Sequence, residues 1–172
     1  QTLTNLGASP NAFTSNDITG YFFETTDNFE QCLKVLLKFV STPYFTPESC
    51  RKEQGIIGQE IRMTEDDPDW ECYMGMVRSL YNEHPVKISV AGTVESIADI
   101  TDQTLYDCHK AFYQPNNMVL TVVGDVDPQK VIDIASEELP KEAGDKVLAD
   151  LGKTETMDIA APYTEKLMEV AG

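Results

Sequence analysis

The stretch from Thr46 to Trp70 constrains the fold of this chain most strongly, because both ends of a helix are written into it. Thr46 supplies a hydroxyl N-cap, Pro47 occupies the first helical position, and Glu48 places an acid in the first turn. Nothing interrupts a helix until the acidic turn that ends in Pro68. The stretch therefore predicts a long helix that ends near Glu65.

One stripe of this predicted helix is unusual for its composition. At about 100° per residue, an acid, a cation and two glycines line up along it: Glu48, Arg51, Gly55 and Gly58. Each glycine destabilises a helix interior by about 1 kcal/mol relative to alanine. We therefore expect a neighbouring element to gain from close contact with the backbone there. Four other residues share a different face: Cys50, Ile57, Ile61 and Thr64.

Composition excludes several classes of function. The formal charge of −16 disfavours binding to a nucleic-acid backbone or to an anionic membrane surface, and favours a solvated acidic surface. No apolar run reaches membrane-spanning length, so no membrane partner is expected. A length of 172 residues predicts one domain plus some additional chain.

The cysteines and histidines have no metal-binding spacing. The four cysteines form no C-x-x-C motif: Cys32, Cys50, Cys72 and Cys108. We therefore expect their thiols to be reduced and the protein to be cytoplasmic. His84 and His109 share no motif, so both are predicted to be structural or exposed rather than catalytic.

The remaining pattern predicts an α+β fold. Asn11–Ser15 and Ile18–Thr25 have the composition of an antiparallel hairpin, and Met118–Val123 that of a buried strand. Further helices are predicted over Asp27–Ser41 with Asp27 as N-cap, Tyr73–Tyr81, a short segment after Gly92, Thr101–Tyr113, and Asp127–Leu139.

Four segments of the chain carry distinctive motifs. The first is R-K-E-Q-G-I-I-G-Q-E-I from Arg51 to Ile61, followed by D-D-P-D-W. The second is G-A-S-P-N-A-F-T-S from Gly7 to Ser15, the third begins at Gly92, and the fourth runs from Tyr113 to Gly124. Together these segments resemble the M16 (pitrilysin/insulinase, inverzincin) metallopeptidases, in the bacterial, processing-peptidase-like branch. The resemblance covers the chain from Gly7 to about Leu139.

The resemblance implies an architecture and partners. It implies an M16-type αβ roll (LuxS- and processing-peptidase-like), with a mixed, mainly antiparallel sheet and helices packed on one face. The chain is expected to be a fragment of the N-terminal half without the His-x-x-Glu-His motif. Residues 1–140 would form a partial M16 domain, and residues 141–172 an acidic linker and the start of the next half. Expected partners are the rest of its own chain or a second M16 subunit, with no nucleic acid or membrane.

The resemblance also implies a substrate-binding strand. In M16 enzymes the strand that corresponds to Asn11, Ala12, Phe13 and Thr14 lies at the active-site edge, where peptide or unfolded polypeptide adds as a further β-strand. An ordinary sheet strand is the alternative for these residues.

The implied metal chemistry is altered in this chain. Active family members hold zinc, and the position of their third zinc ligand, a glutamate, is Arg51 here. A guanidinium has no lone pair for a metal, so no metal or catalytic residue is predicted in this chain. One alternative keeps an active zinc endopeptidase in which Glu48 replaces the lost ligand. A second alternative is an acidic protein-interaction domain.

Overall fold

A computed structural model describes residues 1–140 of the chain. These residues form two compact units, one made of residues 1–45 and 102–140, the other of residues 46–101. The predicted acidic linker and the start of the next half, residues 141–172, lie outside the described residues. The predicted division of the chain after residue 140 stays a prediction.

Helices dominate the described residues, and one antiparallel pair of strands accompanies them, as the α+β prediction required. The elements follow the order α1 (Thr2–Asn5), β1 (Ser9–Thr14), β2 (Thr19–Glu24), α2 (Phe29–Ser41), α3 (Pro47–Glu65), α4 (Pro68–Leu80), α5 (Val94–Ala98), α6 (Asp102–Phe112) and α7 (Pro128–Glu138). Short 3₁₀ turns lie at Pro85–Lys87 and Pro115–Asn117. Among residues 1–140, no helix has both the length and the hydropathy needed to cross a bilayer.

The hairpin of β1 and β2 has one face on the helices. Successive strand side chains alternate between faces, so Tyr21 and Phe23 share one face and Phe22 lies on the other. The Tyr21 ring meets Phe39 of α2 edge-on at 5.9 Å, and the Phe23 ring lies 6.3 Å from Phe29. The predicted hairpin, with aromatic side chains on both faces, is therefore confirmed.

The core of the first unit lies between α2 and α7. Leu33, Leu37 and Ile134 are buried together, and half-buried apolar side chains surround them: Phe23, Phe29, Val131, Ala135 and Leu139. Two exposed ion pairs, each 2.9 Å long, also join these helices: Lys34–Glu137 and Glu30–Lys130. In each pair the hydrogen bond and charge of the carboxylate raise the pKa of the lysine. Both pairs are open to solvent, so apolar burial dominates the stability of this unit.

Two helix starts differ from their predicted positions. Asn28, not Asp27, precedes α2, and its left-handed backbone (φ +56°) redirects the chain into the helix. The Asp27 carbonyl instead accepts a hydrogen bond from Thr25 Oγ1 at 2.6 Å. Helix α4 begins at Pro68, earlier than expected, because the Asp67 side chain accepts from Asp69 N at 3.0 Å and caps it.

The predicted buried strand Met118–Val123 is wrong for the described residues. This run has no strand assignment, and Val119 and Val123 are 92% and 93% exposed. An apolar run becomes a buried strand only when neighbouring strands and a covering layer are present. Within residues 1–140, the sheet contains β1 and β2 alone, and neither pairs with this run.

We expect the isolated chain to self-associate through this apolar run, as either a dimer or aggregates. Sedimentation velocity between micromolar and millimolar concentration would measure the association. The double substitution Val119→Lys and Val123→Lys should reduce it, whereas Ile132→Lys, on exposed α7 surface, serves as the matched control. A clean monomer over the whole range would contradict the prediction.

Candidate functional site

The four predicted substrate-binding residues lie together on β1. Asn11, Ala12, Phe13 and Thr14 are all exposed, and they pair in order with residues 22, 21, 20 and 19 of β2. The structure therefore places the predicted residues on one continuous strand.

Hydrogen bonding in the hairpin shows which backbone groups of β1 point outward. At the turn, Ser15 N–H donates to the Ile18 carbonyl at 2.8 Å, which makes this a hydrogen-bonded pair. Hydrogen-bonded and non-hydrogen-bonded pairs alternate in an antiparallel ladder. In the register of this hairpin, the backbone groups of Asn11 and Phe13 therefore face β2. Those of Ala12 and Thr14 face away from it.

The outer edge of β1 is open in the described part of the chain, where no third strand joins the sheet. Two features reduce the number of hydrogen-bond donors at this edge. Pro10, whose backbone also faces outward, has no N–H. The outward N–H of Ala12 donates to the side-chain oxygen Oδ1 of Asn11 at 2.9 Å. Both features are of the kind that protects exposed strands from uncontrolled pairing.

An exposed aromatic pair covers the outer face of the hairpin. The Phe13 ring lies over Gly20, so close that a Cβ atom at this position would displace the exposed ring. The Phe22 ring lies 6.4 Å from Phe13, and both rings are exposed. This face is therefore available for contact with the side chains of an added strand.

Polar contacts behind the hairpin tie β2 to α6. The hydroxyls of Tyr21 and Tyr113 are 2.7 Å apart, and the Tyr113 ring stacks on His109 at 4.7 Å. His109 Nε2 donates to the Val40 carbonyl at 2.8 Å, because a carbonyl can only accept. Burial, followed by the hydrogen bond with Tyr21, raises the pKa of Tyr113. His109 thus has a structural role.

His84 lies in the second unit and is likewise held locally. Its Nδ1 accepts a hydrogen bond from Val86 N at 3.1 Å, and its ring lies 5.3 Å from Tyr81. It helps to form the turn at Pro85 and thus has a structural role.

Helix α3 of the second unit presents the predicted stripe. A reciprocal capping box starts the helix: Thr46 Oγ1 accepts from Ser49 N at 3.1 Å, and Ser49 Oγ accepts from Thr46 N at 3.0 Å. Glu48 and Arg51 are both exposed and lie one turn apart, on a different face from the buried Cys50 and Ile61. The predicted stripe is thus on the surface of this unit at its N-terminal end.

The glycines of the stripe have only loose contacts in the described residues. A Cβ on Gly58 would lie 3.8 Å from Ile97 Cδ1, an ordinary contact, and a Cβ on Gly55 would meet nothing within 4 Å. Beside them lies an open cavity of about 240 Å³, lined by Gln54, Gly55, Gly58, Arg62, Val94, Ile97 and Ala98. Gln54, which lines this cavity, is held in place because its Nε2 donates to the Ile97 and Ile100 carbonyls, both at 2.8 Å. Gly58 is therefore buried beside Ile97, whereas Gly55 has no such neighbour within residues 1–140.

The residues at this position do not fit zinc. Arg51 is a permanent cation without a lone pair, and Glu48 is the one acid beside it on the stripe. Within residues 1–140, no three His, Cys, Asp or Glu side chains come close enough to hold a metal ion. No chemical step can therefore be derived through zinc from these residues alone.

Comparison with known families decides the relationship. Residues 1–94 match the family model described as Insulinase (Peptidase family M16), and residues 99–167 match the model described as Peptidase M16 inactive domain. The chain belongs to the M16 peptidase family. Relatives in this family carry the name zinc protease, which connects zinc with family members other than this chain.

Two relatives illustrate how much of an M16 protein this chain represents. It is 50% identical over 141 residues to the zinc protease YmfH of Bacillus subtilis, covering 82% of the chain and 33% of YmfH. It is 29% identical over 133 residues to the zinc protease PqqE of Helicobacter pylori, covering 76% of the chain and 30% of PqqE. The chain thus spans about a third of the length of these M16 relatives.

Solved structures agree with the fold. An M16-like peptidase from Alicyclobacillus acidocaldarius superimposes with a TM-score of 0.76 at 41% identity, over 82% of this chain and 33% of that one. A peptidase M16 inactive domain from Pseudomonas fluorescens superimposes with a TM-score of 0.72 at 24% identity, over 82% of this chain and 36% of that one. At this identity the similarity supports the fold alone. The predicted family and the α+β fold class are confirmed.

Sequence reasoning missed two features of the β1 edge in this M16 chain. It did not identify Pro10 as an outward-facing position without a donor, although a proline within a strand pattern indicates an edge. It also missed the hydrogen bond between Asn11 and Ala12, for which the sequence carries no signal.

Proposed function

We propose that this chain is the peptide-accepting part of an M16 protein and is not catalytic by itself. Extended peptide or unfolded polypeptide would add to the open edge of β1, where Ala12 and Thr14 point their backbone groups outward. The observation that carries this proposal is the open edge at the four residues that the M16 resemblance assigns to substrate.

Strand addition explains how such a site would accept many sequences. Main-chain hydrogen bonds provide affinity that does not depend on side chains, and neighbouring side chains add preference. Here the exposed Phe13 and Phe22 rings flank the edge on one face. The rest of the same protein, or a second M16 subunit, would complete the site, since the chain spans a third of its relatives.

Arg51 is the basis for proposing that the metal position is lost. An exposed guanidinium at the third-ligand position would pair with acids of the helix that carries the His-x-x-Glu-His motif in M16 members, in place of zinc. The rival proposal keeps an active zinc endopeptidase with Glu48 as ligand. It is favoured by the zinc protease names of the relatives and by the exposure of Glu48 one turn from Arg51.

The second alternative, an acidic interaction domain, rests on the net charge of −16. Binding through charge alone would weaken steeply with added salt, whereas strand addition would change little. We also propose that the protein is located in the cytoplasm. The four free cysteine thiols support this location, because thiols stay reduced there.

Ala12→Pro is expected to weaken binding of an extended peptide about two- to tenfold, because the proline has no N–H and its ring Cδ occupies the edge where the added strand would lie. The substitution removes an outward N–H and leaves the pairing of β1 with β2 intact, because Ala12 is at a non-hydrogen-bonded position. Fluorescence anisotropy with reduced, carboxymethylated α-lactalbumin, a permanently unfolded polypeptide, would measure the affinity in the intact protein.

Ala12→Ser is the matched control, since it changes the side chain and keeps the N–H. Circular dichroism should show that both variants remain folded. Equal affinity of the folded Ala12→Pro protein and the parent would exclude β1 as the peptide site.

A further inference from the structure

We propose that the Asn11 side chain competes with an incoming peptide for the backbone N–H of Ala12. The incoming strand would pair first with Thr14 and then displace the Asn11 side chain from Ala12. This inference rests on the proposed function, because it describes how the same edge admits a peptide. It identifies Asn11 as a positioning residue that competes with the peptide, and Thr14 as the first anchor.

The geometry of the Asn11 side chain supports this competition. Its Oδ1 accepts from the Ala12 N–H at 2.9 Å, within the normal range for a hydrogen bond. The backbone groups of Asn11 itself face β2, so the side chain can leave Ala12 without breaking the hairpin ladder. Asn11 is also exposed, and its side chain can rotate into solvent. Displacement therefore requires a rotamer change and the loss of one hydrogen bond.

The outward groups of β1 make Thr14 the easiest starting point for pairing. Pro10, Ala12 and Thr14 all present carbonyls at this edge, but Pro10 has no N–H and the Ala12 N–H is occupied. In the part of the chain that the structure describes, no hydrogen bond uses the Thr14 N–H. An incoming strand can thus form both hydrogen bonds of one pair at Thr14 before anything is displaced.

This arrangement has a consequence for selectivity. A peptide that pairs only with Thr14 gains two hydrogen bonds at most, while a longer extended segment gains enough to displace Asn11. The same occupancy leaves the free edge poor in donors, which limits pairing with a second copy of the strand. Asn11 therefore favours extended segments over short or folded ones.

Two substitutions of Asn11 should change peptide affinity in opposite directions. Asn11→Ala removes the competitor and should strengthen binding of carboxymethylated α-lactalbumin about two- to tenfold. Asn11→Asp places a stronger, charged acceptor beside the Ala12 N–H and should weaken binding. Asn16→Ala, the same change in the exposed hairpin turn, is the matched control and should leave the affinity unchanged.

A second measurement tests the hydrogen bond in the intact protein without any peptide. By NMR hydrogen exchange, the Ala12 amide should exchange about two- to tenfold faster in Asn11→Ala than in the parent. The Phe13 amide, which faces β2, should be unchanged and provides the internal control. Equal exchange of the Ala12 amide in the two proteins would overturn the inference.

The possible failures can be told apart. If Ala12→Pro leaves binding unchanged, β1 is not the peptide site and the proposed function fails. If Ala12→Pro weakens binding but Asn11→Ala also weakens it, the peptide site stands and Asn11 is a peptide contact rather than a competitor. That second result would overturn the present inference alone.

Discussion

Leu33→Ala is expected to lower the free energy of unfolding by about 2–5 kcal/mol, the range for large-to-small changes in a packed core. Leu33 is 1% exposed and lies between Leu37 and Ile134, where α2 meets α7. Truncation removes apolar burial and leaves a cavity between the two helices. Urea unfolding of the intact protein, followed by circular dichroism, would measure the change.

Ile132→Ala on α7 provides the control for this prediction. Ile132 is 56% exposed, so the same kind of truncation should cost well under 1 kcal/mol. A similar loss of stability in both variants would show that the α2–α7 contact is not the main core of the first unit.

Local signals in the sequence predicted most of the elements. Thr46-Pro47 and Asp127-Pro128 each combine a capping side chain with a proline at the first helical position, and both open helices in the structure. The hairpin was recognisable because its strands alternate around the polar turn at Ser15. These features depend on residues within a few positions of each other, so the sequence is sufficient to predict them.

The errors arose where structure depends on distant partners or on one backbone torsion. The run from Met118 to Val123 has the apolar pattern of a buried strand, but burial needs neighbours that residues 1–140 do not supply. The residue before α2 is Asn28 rather than the predicted Asp27, because the turn there needs a residue with left-handed backbone torsions. Asn and Asp are favoured about equally before a helix, so the sequence pattern could not distinguish them.

The candidate site was partly predictable. The M16 resemblance located the peptide edge at Asn11–Thr14 and the altered ligand position at Arg51. It could not show which backbone groups point outward, because that depends on the register set by the pair Ser15 and Ile18. It also could not show that Gly55 meets no neighbour in the described residues.

Arg51→Glu is expected to raise the zinc affinity of the intact protein by at least about 100-fold, provided that the intact protein carries both histidines of the His-x-x-Glu-His motif. Even outer-shell changes alter metal affinity about 10- to 100-fold, and this substitution restores a direct ligand and removes a positive charge. The unmodified protein should carry little zinc at micromolar metal. Metal analysis after dialysis would measure the zinc content, while activity can stay absent if the rest of the cleft has changed.

Lys52→Glu is the matched control, because it makes the same change of charge on the adjacent exposed residue, about 100° around α3. It should leave the zinc content unchanged, so a rise in both variants would point to general electrostatics rather than to ligation. Glu48→Gln tests the rival proposal. If Glu48 is the ligand, the unmodified protein already holds stoichiometric zinc and Glu48→Gln removes it. Stoichiometric zinc in the unmodified protein would therefore reject the loss of the metal position at Arg51.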